Sequence, residues 1–552
     1  MNRESASYFS ELPEVHIPRS KIVKEHGLKT TWNVGDLVPI YLDSVDPGST
    51  ISMKMASVMR MQTPLYPTMD TLFTDIFFFA IPYRLVWGHW KEFWGENPNA
   101  WYPQVEYEIP QIKTNGSDGG FKAKSLGDYL GFPTGVTGIS VSALPFRAYV
   151  RVWNDWFRST PLQQEAPNTT SDLDANYETN YAYHGGKLLK VNKLHDLFTS
   201  ALPSPQRGPE VTIPLGSWAP VYTRNEEVPY LTGEPTYQLG YGRLGTSATY
   251  PASSNFNAGI ATDADGNLKA ITSTATTTMG GTISQIYPNN LWTDLSKAAA
   301  ATVGALRSAL SIQHFFEASA RYGGRYTEIL RGIFNVTSPD ARLQRTEYLG
   351  GVRIPHTMQT VVQTSSTDNT SPQGNTGAFS HTVSKDEIFT KSFSEHTIIL
   401  GCLATRYKHS YSQGIPAMWD KKKIWDFYLP QMNGISEVPL NYKYIYATGT
   451  SPDEEVFGYQ EYGFAERYGQ GDIVTSEMRP NYTQTLDAWH YGDNYNSLPV
   501  LGNTWIQEDK TNVDRTLAVS SGLADQLFGD FYFKPTYVLP MPIYSLPGMD
   551  KI

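Results

Sequence analysis

Few residues in this 552-residue chain have the types and spacing of a chemical site. Gly240, Gly242 and Gly245 match G-x-G-x-x-G, a spacing that brings backbone N–H groups to a pyrophosphate when a helix follows. Here Thr-Ser-Ala-Thr-Tyr-Pro follows, so the segment reads as an aromatic-glycine loop. Asp263, Asp265 and Asn267 resemble the start of a calcium loop, but the later bidentate glutamate is missing. They read as a turn at the tip of an exposed excursion. The eleven histidines form no H-E-x-x-H, and the single cysteine, Cys402, excludes C-x-x-C sites and intrachain disulfides. Cys402 sits in the apolar run Ile-Ile-Leu-Gly-Cys-Leu-Ala and reads as a buried, inert thiol. His89, His314 and His490 lie among aromatics and read as hydrogen-bonded core or interface residues. Acid pairs such as Glu226–Glu227 and Glu454–Glu455 could serve a glycosidase only at a defined spatial separation, which sequence does not supply. No catalytic, cofactor-binding or metal residue is assigned, no cofactor is expected, and the chain reads as a non-enzyme.

Two basic clusters could do a different chemistry. Arg321, Arg325 and Arg331 follow one another around the end of an expected helix, and Lys421, Lys422 and Lys423 precede Trp425. Basic groups interleaved with rings can track a single nucleic-acid strand, phosphates on the cations and bases on the rings. The competing reading is a solvated face or subunit salt bridges. Globally the chain is acidic, with 54 Asp and Glu against 44 Lys and Arg, a net charge of −10. A protein that neutralised phosphates alone should carry a basic excess. If a nucleic acid is bound, most countercharge must come from elsewhere, such as a small basic protein, polyamines or metal ions.

Composition then says what must position such groups. Charged residues are 18%, below the roughly 25% usual in soluble domains, while aromatics reach 13%. Tyrosine and tryptophan suit surfaces that are apolar at one end and wet at the other. With 45 glycines and 36 prolines, the chain reads as β-rich, with many turns and much subunit contact. Aromatic-rich carbohydrate-binding proteins share this composition. The N-terminus has no apolar core of a secretory signal, and Ile76–Ile81 is too short to span a bilayer. The expectation is synthesis in the cytosol, without membrane insertion.

Along the chain, residues 1–29 read as an extended arm. Strand-like runs begin at Thr30. Ile51, Met53, Met55 and Ser57 alternate with Ser52, Lys54 and Ala56, the period of a strand buried on one face. Asp46-Pro47-Gly48 is a turn, and Asp70–Tyr83 gives another strand ending near Pro82. Helical patches are predicted over 85–95 and 145–158. Residues 246–285 are biased to Thr, Ser, Ala and Gly and cannot form a core of their own. A long helix is predicted over about 294–322, capped by Asp294 and ended by Gly323-Gly324, with a second over 325–334. Strand-like runs return after about 350. Strands at both ends, with helices and a long excursion between, suit one β-sandwich whose connections carry the extra mass.

The stretch 317–353 carries Gly323, Arg325, Tyr326 and Glu328, then Ser338-Pro-Asp-Ala-Arg342 and Glu347-Tyr-Leu-Gly-Gly351. It resembles the signature of gokushovirus (Microviridae) major capsid proteins. Further blocks agree in order: Asn33–Thr50, Leu144–Tyr149 with Trp153–Arg158, Phe198–Val211, His396–Gly401, Val456–Tyr468, Leu486–His490 and Pro540–Gly548. Tyr322 and Gly324 depart slightly from the usual pattern, Thr346 stands where proline is common, and Ser49 where an acidic residue is usual. The resemblance implies an all-β fold, an eight-stranded viral jelly-roll β-sandwich with large inserted loops and several helices, spanning 30–552. It implies a homo-oligomeric T=1 icosahedral shell around a circular single-stranded DNA genome, assembled in the host cytoplasm, with 215–290 as a variable surface protrusion. Implied partners are a small basic DNA-packaging protein, an internal scaffolding protein, a pilot-type minor protein and a host surface receptor. Tyr250, Phe256, Asp263, Asp265 and Asn267 are the host-contact candidates on that loop; the six basic residues above are the DNA-contact candidates. The rival class is a carbohydrate-binding or carbohydrate-active β-sandwich, which would predict export.

Overall fold

The computed structural model describes residues 18–97, 106–114, 119–172, 186–212, 302–365, 372–469, 471–480, 482 and 485–544, with the backbone of six short strands between 221 and 293. Two antiparallel sheets dominate. One joins β1 (Ser20–Val23) and β2 (His26–Trp32) to β9 (Leu527–Leu539), then β4 (Thr50–Met61) and β7 (Thr382–Ser392). The other runs β6 (Glu347–Pro355), β5 (Leu72–Pro82), β8 (Thr397–Tyr407), β3 (Leu37–Val45). β1 and β2 lie along the same edge of β9. Taken as one broken strand, they make the two sheets 1-8-3-6 and 5-4-7-2 in chain order.

The alternation read from the sequence of β4 is the one the core uses. Ile51, Met53, Met55, Ser57, Met59 and Met61 are buried, with the intervening residues exposed or half-buried. Phe531, Phe533 and Tyr537 of β9 join them, opposed by Ile76 and Phe78 of β5 and Ile399 and Leu403 of β8. The two sheets therefore enclose one hydrophobic core. Pro535 in β9 has no N–H for the ladder, and the edge strand facing it breaks at Lys24–Glu25, between β1 and β2. Pro39 is likewise tolerated because β3 is an edge, at a register shift opposite Gly401 and Cys402.

β8 is buried along nearly its whole length, which explains its unbroken apolar run. Its second face, with Ile398, Leu400, Cys402 and Ala404, packs with Phe79 and Ile81 of β5 into a second core. That core is covered by α1 (Leu144–Val152) and its continuation as a π-turn over Trp153–Phe157. The helix predicted over 145–158 is thus present. Over 85–95 the only α-helical turn is Trp90–Phe93. A third, smaller core holds Leu197, Phe198, Leu440, Ile445 and Phe457 from the long connections.

The chain divides into two compact units: 1–207 with 317–552, and 208–316. In the second, three antiparallel pairs are nested: Val221–Thr223 with Leu291–Thr293, Tyr241–Arg243 with Ile286–Pro288, and Gly259–Thr262 with Leu268–Ile271. Nested pairing means that the chain runs out and returns along itself. Tyr241–Arg243, the centre of the glycine motif, is one of these strands rather than the start of a helix. The long helix, α2, spans Val303–Tyr322, and α3 spans Tyr326–Phe334. The predicted start at Asp294 lies outside the described residues.

Candidate functional site

The segment that carries the resemblance is built onto the end of α1. Arg325 is the N-cap of α3: its backbone N–H donates to Glu328 Oε2 at 2.9 Å, and its guanidinium pairs with Glu328 Oε1 at 2.8 Å. The same guanidinium donates to the carbonyl oxygens of Asn154 (3.0 Å) and Arg158 (2.6 Å), at the end of the π-turn. Carbonyls at a helix end have no intrahelical donor, so a fixed cation there satisfies them and the helix dipole together. Twenty residues on, Arg345 donates to the Asp155 carbonyl and lies 3.9 Å over the Trp156 ring. Thr346 donates its N–H (3.1 Å) and hydroxyl (3.0 Å) to the Asp155 carboxylate, and Trp156 Nε1 donates back to Thr346 Oγ1 at 2.9 Å. Two distant sequence blocks are therefore one contact. The close approach of β6 to β5 explains Gly351 of the same signature: a Cβ there would stand 2.3 Å from the Ile76 carbonyl oxygen.

The six basic candidates have different surroundings. Arg321 is held by Glu437 through two nitrogens, by Glu461 at 3.0 Å and by Gln460 at 3.1 Å. Arg325 is occupied as described. Arg331 is exposed on α3. Lys421 pairs with Glu466, and its side chain is only 10% exposed. Lys422 lies 3.7 Å from Asp420 with its side chain 73% exposed, and Lys423 is exposed. The host-contact candidates Tyr250, Phe256, Asp263, Asp265 and Asn267 lie outside the described residues.

Of the histidines singled out by their aromatic neighbours, His490 is buried and bonds the Met478 carbonyl at 2.8 Å, and His89 bonds Asp172 at 2.6 Å. His314 is exposed on α2, outside any core. The histidine that sequence reading missed is His409. It is buried between Asp493 (2.8 Å) and Glu508 (2.9 Å), with Lys193 3.5 Å from Asp493. Burial disfavours its imidazolium, but the two carboxylates outweigh that and push its pKa up to about 10. Burial likewise opposes the charge on Asp493, yet His409, Lys193 and the Tyr495 hydroxyl hold its carboxyl well below the usual range. No spacing could have revealed this cluster, because its members are 84 and 99 residues apart along the chain. Among the described residues no group of His, Cys, Asp and Glu could hold a metal ion, and no helix is long and apolar enough to cross a membrane. What the described surface offers in quantity is exposed apolar side chains, among them Trp419, Ile424, Trp425, Ile473, Ile543 and Tyr544.

Residues 10–549 match the family model described as Capsid protein (F protein). The chain belongs to this phage capsid protein family. It is similar over 99% of its length to proteins named Capsid protein VP1, with 98% of each relative covered. These are 39% identical in Spiroplasma virus 4, 38% in Bdellovibrio phage phiMH2K and 34% in Chlamydia phage 1. The gokushovirus resemblance read from 317–353 is thereby established over the whole chain. The protein is a phage major capsid protein and its place is the virion. The exposed apolar surface now has a physical reason. A shell protein must leave contact surface uncovered until its neighbours cover it.

Proposed function

We propose that this capsid protein builds a small T=1 icosahedral shell around circular single-stranded DNA, and that its sandwich is an eight-stranded viral jelly roll. The carrying observation is the strand order 1-8-3-6 and 5-4-7-2, in which each sheet draws alternately on both halves of the chain. That is the pattern expected when a long antiparallel ribbon is rolled into two sheets. The large connections, 83–346 and 408–526, then supply the surfaces of the shell. We also propose the division made from the sequence: an arm at 1–29, a single capsid domain over 30–552, and a protrusion within it at 215–290. The out-and-back pairing of 221–293 supports the protrusion.

In this reading the loop with Tyr250, Phe256, Asp263, Asp265 and Asn267 meets a host receptor. Among the DNA-contact candidates, the exposed Arg331, Lys422 and Lys423 are better disposed to meet phosphate than Arg321, Arg325 and Lys421, which already hold internal partners. The net charge of −10 supports a separate small basic packaging protein. An internal scaffolding protein and a pilot-type minor protein complete the proposed partners. Particles purified from a producing host are expected to protect circular DNA that a single-strand-specific nuclease digests after release. Protected double-stranded DNA or RNA would overturn the genome assignment. Deletion of 246–285 is expected to leave particles that no longer attach to cells; unchanged attachment would remove the receptor role.

A further inference from the structure

The third core opens to the surface as a cavity of about 290 Å³, floored by Leu197 and Phe198. Its rim carries Ile415, Met418, Trp419 and Ile473, all exposed, Trp419 to 82% and Ile473 to 69%. Tyr444 and Tyr468 add rings to the wall. Of the basic residues at or beside it, Lys421 pairs with Glu466, Lys422 lies 3.7 Å from Asp420, and Arg479 of the lining donates to the Ser412 carbonyl. The volume is at the low end for a small-molecule site, enough for two or three side chains. An aromatic-lined, mostly apolar groove of this kind fits an extended proline-containing segment, which loses little entropy on docking because it is already stiff.

The chain contains such a segment. After β9 it reads Pro540-Met-Pro-Ile-Tyr-Ser-Leu-Pro-Gly548, ending at Ile552. Its described part leaves the sheet with Met541, Ile543 and Tyr544 exposed, Ile543 to 64% and Tyr544 to 77%. None of these lines the groove of its own chain. Both the described part of the tail and the apolar rim of the groove are thus uncovered in a single copy. At about 3.1 Å per residue in a polyproline conformation, the tail from Pro540 reaches roughly 40 Å, far enough to cross a subunit boundary. We propose that the groove around Trp419 receives the C-terminal segment 540–552 of a second copy, the tail acting as a strap between neighbouring subunits. The inference rests on the capsid reading and adds a specific partner segment to it.

The single native cysteine is fully buried, so introduced thiols can be addressed selectively. Full-length chains carrying only Tyr544→Cys and chains carrying only Ile473→Cys are co-assembled, and the particles are treated with a short bismaleimide. An interchain dimer of the two variants is expected. Particles that form normally but yield no such dimer overturn the strap and leave the capsid reading intact. Independently of assembly, a synthetic peptide of residues 538–552 is titrated onto the unassembled full-length chain while tryptophan fluorescence is read. Saturable binding is expected, weakened about tenfold or more by Trp419→Ala, as for an aromatic anchor in a pocket. Absence of peptide binding, or equal binding by Trp419→Ala, overturns the proposal. So does peptide binding that a poly-dT oligonucleotide displaces, since that would make the groove a nucleic-acid site.

Discussion

Replacing His409 by Gln would leave Asp493 and Glu508 facing each other across a side chain that carries no charge. All three are nearly or fully buried, at 1%, 5% and 0% side-chain exposure, so water cannot replace the lost cation. Lys193 remains 3.5 Å from Asp493 and relieves part of that charge. The Tyr407 ring, 4.4 Å from the imidazole, and the Tyr411 and Tyr495 hydroxyls contribute no positive charge. Breaking one partner out of a buried ion pair costs about 3–5 kcal/mol. The pH dependence gives a second route to the same magnitude. The His409 pKa rises from 6.5 to about 10 on folding, so its stabilisation is complete below pH 6.5 and disappears as pH climbs to 10. Summed over that window the loss is roughly 5 kcal/mol at most. The assay is urea unfolding of the unassembled chain, followed by tryptophan fluorescence, for wild type and His409→Gln across that range. Wild type is expected to weaken steadily toward pH 10. The variant should be weaker at pH 6.5 and lose less on going alkaline, so that the two curves converge. A variant within about 1 kcal/mol of wild type at pH 6.5, the range of an ordinary surface change, would refute the reasoning. So would parallel curves.

Three shorter predictions test other parts of the structure. Burial pushes the Cys402 thiol far above its ordinary pKa and removes it from solvent, so an aromatic disulfide reagent should leave it unmodified until the chain is unfolded; rapid native-state labelling would contradict the second core. Thr346→Val keeps the N–H to Asp155 but removes the hydroxyl that bonds Asp155 and Trp156, and should cost about 1–2 kcal/mol in urea unfolding. Thr346→Pro removes the N–H as well and should cost more than Thr346→Val. His356 is buried against Thr74, and burial lowers its pKa to about 4, so its neutral form adds stability above pH 6.5 that is lost as pH falls toward 4. His356→Gln should flatten that acid-side slope, and an unchanged slope would place the acid sensitivity elsewhere.

Much of the fold was legible because it rests on local periodicity. The alternation of Ile51, Met53 and Met55 named the buried face of β4, and the apolar run around Cys402 named a buried thiol, which the structure places on a strand covered on both faces. The helix over 145–158 followed from its aromatic spacing, although its last turn is a π-turn that no spacing announced. The helix predicted over 85–95 is a single turn, since Gly88 gives its N–H to the Thr170 carbonyl and the helix begins only after His89. The functional surfaces were less legible. Arg325 and Lys421 look alike as basic letters, yet one bonds two helix-end carbonyls and the other a glutamate 45 residues away. His409 gave no sequence signal because its partners come from the far side of a long connection. Full-length family similarity supplied what periodicity could not, the reason for so much uncovered apolar surface.

The most direct test of the central claim is negative-stain electron microscopy of the purified chain, alone and with the proposed internal scaffolding partner. Uniform small icosahedral shells in either sample are the predicted result. Particles of mixed size, open tubes, or discrete small oligomers that persist with the scaffold present would contradict a chain whose own surfaces specify one closed shell.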